Sequence, residues 1–130
     1  MSNRILFSAS TLAHDQQRYP TCGDWVDYGV HHGFGIHVSR MGDADSEFLV
    51  ALHELVEAYL CQKAGIPDEV VTAFDKAFEA KRQPGNTDEP GDDPEAPYRH
   101  EHRIATIVEM IVADAANVDW HKHEANVNAL

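Results

Sequence analysis

Residues 42–65, GDADSEFLVALHELVEAYLCQKAG, decide how the rest of the chain is read. Apolar side chains recur at a helical spacing, Asp43, Asp45 and Ser46 offer N-terminal caps, and Gly65 with Pro67 supplies a stop. The pattern predicts a long helix. Within five residues, however, that helix carries His53, Glu54 and Glu57. At about 100° per residue, His53 and Glu57 lie about 40° apart and one turn separated, so both can reach one metal ion. Glu54 sits beside them, rotated by about 60° from Glu57. The main apolar stripe (Phe48, Leu52, Leu55, Val56, Tyr59) points elsewhere, which leaves His53 and Glu57 on a flank lined by Leu49 and Leu60. Partial burial there calls for a compensating charge, and a divalent cation provides one.

Before the helix, RILFSA (4–9) is short and β-compatible, and STLAHDQQRYP turns polar up to Pro20. A strand and then a loop are expected. TCGDWVDYGVHHGFGIHVSRM is rich in glycine and aromatics, and its FGIHVS alternates as a half-buried strand does, which predicts a hairpin or meander. After the helix, PDEVVTAFDKAFEAKRQ repeats a helical pattern, with Val70, Phe74, Ala77 and Phe78 as its apolar stripe. Residues 83–97, QPGNTDEPGDDPEAP, hold four prolines, two glycines and five acidic side chains, which dictates an acidic Pro/Gly loop. An exposed connector explains such a loop more readily than a cation site does. YRHEHRIATIVEMIVADAANVDW then predicts a third helix with Ile104, Ile107, Val108, Ile111, Val112 and Ala115 on its core face. The tail, 121–130, has no apolar period and is expected to be mobile. The expected fold is α+β: a short N-terminal hairpin or meander followed by three helices, all in one domain spanning 1–130.

Composition narrows the partners. With 22 acidic against 10 basic side chains the formal charge is −12, which repels phosphate backbones and anionic lipid. Nucleic acid and membrane are excluded as expected partners, whereas cations and a peptide or protein partner suit the chain. No stretch approaches the roughly 20 apolar residues of a membrane span, and a cytoplasmic location is expected. Cys22 and Cys61 lie far apart with no metal-ligand spacing, so reduced thiols are expected.

The third helix offers the other half of a site. Glu109 interrupts the apolar run IATIVEMIVA, and His102, seven residues earlier, lies within about 20° of it on one face. His100 lies about 160° from His102 and is a substitute third ligand. If the two helix faces oppose each other, His53, Glu57, His102 and Glu109 form a two-His, two-carboxylate cage. Alternatively, His53, Glu57 and His102 form the ligand set, with Glu109 supporting a ligand from behind. Such sets suit zinc first, and manganese or iron also.

VALHELVEAYL resembles the active helix of zincin-type metallopeptidases, whose signature is H-E-x-x-H; here it reads H-E-x-x-E. The order of a glycine-rich β segment, this helix and a later ligand-bearing helix is similar to their minimal core. The resemblance implies that His53 is a metal ligand and that Glu54 is the general base acting on water held at the metal. Glu57 stands where the family has its second histidine, a departure that lowers the positive charge of the site but keeps a workable ligand. More loosely, HELVEAYLC, EPGDDPEAPY and HRIATIVEMIVADAANVDW together look like small phage or prophage proteins, which implies a bacterial cytoplasm.

Three functional expectations follow. The first is a zincin-like, metal-binding protein that hydrolyses a peptide or amide bond. The second takes Glu54, Glu57, Glu101 and Glu109 as a magnesium-binding carboxylate cluster for nucleotide pyrophosphate cleavage, although histidines are poor magnesium ligands. The third is a non-enzymatic phage accessory protein in which a structural metal, or a His/Glu network alone, joins two helices.

Overall fold

The computed structural model describes residues 3–130. Its order is β1 (Phe7–Leu12), β2 (Gly23–Asp27), β3 (Phe34–Ser39), α1 (Ala44–Ala64), α2 (Asp68–Ala80), α3 (Arg99–Ala115) and α4 (Trp120–Asn128). The fold is α+β. β2 and β3 form an antiparallel hairpin, and β1 pairs parallel to β3 on its other side, giving the order β1-β3-β2. β1 starts later than the apolar run 4–9 suggests, because the pairing Phe7↔Phe34 through Leu12↔Ser39 selects it. Backbone bonding sustains this exposed edge strand, so its serines and threonine cost it little.

One face of the sheet supports α1. Trp25, Ile36 and Val38 meet Val50, Ala58 and Cys61 in the core, and Val71 and Tyr98 close it from the α2 side. The helix ends behave as expected: the Asp43 side chain accepts from the Ser46 N–H, and Gly65 turns left-handed at φ 74°.

The faces of three helices differ from expectation. α1 buries Ser46, Leu49, Val50, His53, Glu54, Glu57, Ala58 and Cys61, whereas Phe48 of the main apolar stripe is 64% exposed. In α3 the buried positions are His102, Ala105, Glu109 and Ala113, while Ile111 of the expected core face is 62% exposed. In α2, Val71, Thr72 and Asp75 are buried, and Val70 of the expected stripe is exposed. The reason is that the polar faces have partners. Their groups satisfy one another between the helices, and the fully covered Ala58 and Ala105 let the backbones approach.

The tail is a second correction. Residues 120–128 form α4, capped by Asp119, and Asn126 donates to Asp43 and Ser46 near the start of α1. Polar anchoring orders this segment, so an apolar-period criterion passes over it. Both cysteines are free, and among the described residues no helix is long and apolar enough to cross a membrane.

Candidate metal centre

α1 brings His53 and Glu57 to one point through their one-turn spacing, and α3 brings His102 to the same point from across the interface. His53 Nε2 lies 3.1 Å from Glu57 Oε2 and 3.1 Å from His102 Nδ1. The third edge, His102 Nδ1 to Glu57 Oε2, is 2.9 Å. All three side chains are buried. For a tetrahedral ion with bonds near 2.0–2.1 Å, the edges between ligand atoms would be about 3.3 Å, so this triangle is close to the size of such a coordination face.

Two of the vertices are held from behind by hydrogen bonds. Glu57 keeps Oε2 in the triangle while its Oε1 accepts from Trp25 Nε1 at 3.1 Å. His53 directs Nδ1 to Glu109 Oε1 at 2.9 Å, which assigns a proton to Nδ1 and makes Nε2 the nitrogen that a cation would take once its own proton is displaced. Glu109 is therefore not a vertex; it orients one. Its Oε2 accepts from His123 Nε2 at 2.5 Å, and His123 Nδ1 meets Ser46 Oγ at 3.0 Å. His123, only 2% exposed, thus ties α4 to α1 and α3.

Glu54 lines the same cleft, of about 350 Å³, together with the three vertices. β2 makes room for it with Gly23, where a Cβ would come 2.7 Å from Glu54 Oε1. The acidic loop closes another side. Its turn Pro90–Asp92 lies on the His102 ring so closely that a Cβ on Gly91 would overlap it. Of the alternative candidates, His100 is exposed and Glu101 does not line the cleft.

Burial and charge divide the titrations. Burial alone would lower the His53 imidazole, but its hydrogen bonds to Glu109 and Glu57 hold it well above the ordinary histidine range. Burial likewise opposes protonation of His102, yet the Glu57 and Glu89 carboxylates lift it to about 10. Burial works against ionised Glu57, but hydrogen bonds from His102 and His53 bring it down to about 2. Glu109 is lowered against its burial by His123 and His53. Glu54 moves the other way, well above the usual carboxyl range, because burial and the Glu57 charge both disfavour its ionised form. With no cation bound, protons on the imidazoles balance the buried carboxylates. A bound cation would take over that role and displace protons.

Several participants escape a reading of spacing alone. His123, Ser46 and Trp25 come from three separate elements. A further buried group lies next to the cleft, where Asp75 accepts from Tyr19 at 2.8 Å and from Tyr98, whose ring meets His102 edge-on at a centroid distance of 6.1 Å. For Glu89 and Asp92 the signal was present, in the acidity of the loop.

Comparison with family models, curated proteins and solved structures finds no match to this chain.

Proposed function

We propose that this protein is a zincin-like, metal-dependent hydrolase of peptide or amide bonds, with His53, Glu57 and His102 as metal ligands and Glu54 as general base. The triangle of His53 Nε2, Glu57 Oε2 and His102 Nδ1, with edges of 2.9–3.1 Å, is the observation that carries this reading. Two imidazole nitrogens and a carboxylate oxygen form a donor set that suits zinc first, with manganese or iron also acceptable. Bound there, such a cation would supply Lewis acidity toward a carbonyl and toward water.

The chain's own residues supply the rest. Glu109 holds the His53 proton on Nδ1 and so keeps Nε2 free for ligation. Trp25 keeps the Glu57 carboxylate from rotating away. Glu54 is favoured in its protonated form by burial and the Glu57 charge; a cation bound beside it would favour the carboxylate, which would then take a proton from the attacking water and return it to the leaving nitrogen. Glu57 in place of a histidine makes the site less positive, which favours slow turnover. The resemblance to phage and prophage proteins supports a bacterial cytoplasmic setting.

A second reading draws support from Glu109, which joins His53 of α1 to His123 of α4: here the metal or the network is structural and the protein an accessory factor. The magnesium carboxylate cluster is less well supported, because Glu109 is engaged by two imidazoles and Glu101 is off the cleft.

Metal analysis after chelator-free purification tests the site, with about one zinc or manganese per chain expected. The Glu54→Gln variant then separates the readings. Retained metal with loss of amide hydrolysis on a mixed peptide substrate supports the hydrolase, and retained metal with unchanged behaviour supports the structural role. A metal-free protein would refute both metal readings.

A further inference from the structure

His102 presents two nitrogens to two different groups of ligands. Nδ1 belongs to the inner triangle, while Nε2 lies 2.9 Å from Glu89 Oε2 and 3.3 Å from Asp92 Oδ1. Neither contact has hydrogen-bonding alignment, so Nε2 is buried and without a partner among the described residues, in a residue only 5% exposed. An unpartnered polar atom in a covered position is uncommon, and here it is aimed at two carboxylates. Glu89 and Asp92 are more than half in solvent or at its edge, with side-chain exposures of 50% and 62%. They therefore stand between bulk water and the ring. Gly91 permits the arrangement by letting the turn lie directly on the imidazole.

We propose that Glu89, Asp92 and Nε2 of His102 form an outer loading site for a divalent cation, from which the ion reaches the inner triangle across a single imidazole. This rests on the reading of His53, Glu57 and His102 as ligands. The chemistry restricts how the two positions are used. A neutral imidazole has one lone pair, so with its proton on Nδ1 the ring offers Nε2 to the loop carboxylates, and with the proton on Nε2 it offers Nδ1 to the triangle. The positions are alternatives, filled in turn. Two carboxylates and one imidazole make a mixed oxygen and nitrogen set suited to zinc, cobalt or manganese. Because the carboxylates are exposed and on a loop, they can capture a hydrated ion before it sheds its water.

Cobalt(II) is the probe, mixed with the metal-free full chain and followed by its visible absorption. The Glu89→Gln/Asp92→Asn variant should associate more slowly, by at least about tenfold, whatever change in affinity follows from losing the Glu89 charge behind His102. A lost route shows in the association rate, whereas a lost orienting charge shows in affinity alone. The difference should persist at high salt, where diffuse attraction by acidic charge is screened. Unchanged rates overturn the proposal. So does weaker affinity at an unchanged association rate, which would make Glu89 a residue that orients the ring, and so does a difference that vanishes at high salt.

A His53→Ala variant, with Glu57→Gln as the substitute if that change prevents folding, removes the inner triangle. It should keep weak cobalt binding that the added loop substitutions abolish. If it binds no cobalt while the wild type does, the outer site fails and the inner one stands. If it binds as tightly as wild type and only the loop variant loses the ion, the inner reading fails and the outer site stands. A wild-type chain that binds no cobalt sinks both.

Discussion

His53 and His102 show how little of a side chain's role lies in its own identity. Each is an imidazole on a helix, and each has one nitrogen at the triangle and the other facing carboxylate oxygens on a different element. What faces the far nitrogen, a hydrogen-bonding carboxylate for His53 and two unaligned loop carboxylates for His102, is a matter of tertiary contact. Asp75 is a similar case, since nothing in VTAFDKAFEA separates it from an ordinary solvated aspartate. Burial raises it to about 7 even though Tyr98 and Tyr19 donate to it. The folded protein therefore holds a proton there that the unfolded chain releases near its ordinary value of 3.8. Its stabilising effect is complete below that value and is lost as pH rises through about 7. Unfolding free energies from urea titrations at pH 5 and pH 8 should fall with rising pH more steeply in the wild type than in Asp75→Asn, by an amount on the order of a few kcal/mol. Equal slopes would place the titration elsewhere.

At the scale of elements, helix existence and helix orientation proved to be separate questions. Periodicity and caps locate α1 from sequence, because Asp43 and Gly65 act locally. Orientation is decided by what lies opposite. Ile111 is chemically suited to a core and is exposed, while Glu109, two residues earlier, is buried because His53 and His123 are there to meet it. An apolar-stripe rule weighs burial of carbon and ignores polar groups that satisfy each other. The inversion has a measurable consequence. Ile111→Ser should change stability by no more than about 0.5 kcal/mol, as surface changes do, whereas Ala105→Leu should cost about 1–3 kcal/mol by overpacking the α1–α3 contact. Thermal or denaturant unfolding of the two variants checks this, and the reverse order would restore the stripe that spacing suggests. The late start of β1 follows the same logic, for its register is set by β3.

For the whole molecule, the interior that joins α1, α3 and α4 is held by imidazoles and carboxylates as much as by hydrocarbon. If the triangle binds a cation as proposed, folding and ion binding would be linked, since the unfolded chain has no preformed triangle. At free zinc about 100-fold above its dissociation constant, binding should add about 2.7 kcal/mol, raising Tm by on the order of 10 °C over chelator-treated protein. Calorimetry on the two forms tests it, and identical transitions would exclude a cation from the folded site. The polar interior also accounts for the tail. α4 has a weak apolar pattern of its own, but His123 reaches Glu109 and Asn126 reaches Asp43, so the segment is ordered by the network it completes.

Sequence alone was sufficient for whatever depends on neighbours along the chain: the α+β order, the capped helix at 44–64, the acidic loop at 83–97, and the sharing of one helix face by His53 with Glu57 and by His102 with Glu109. These follow from the fixed geometry of a helical turn and from the local chemistry of proline, glycine and caps. Tertiary structure alone decided that the two faces meet, that Glu109 stands behind the triangle, that His123 and Trp25 belong to it, and that Glu89 and Asp92 face the second nitrogen of His102. Those outcomes depend on which polar groups find partners across an interface, and a pairing energy between distant residues leaves no periodic trace in either segment.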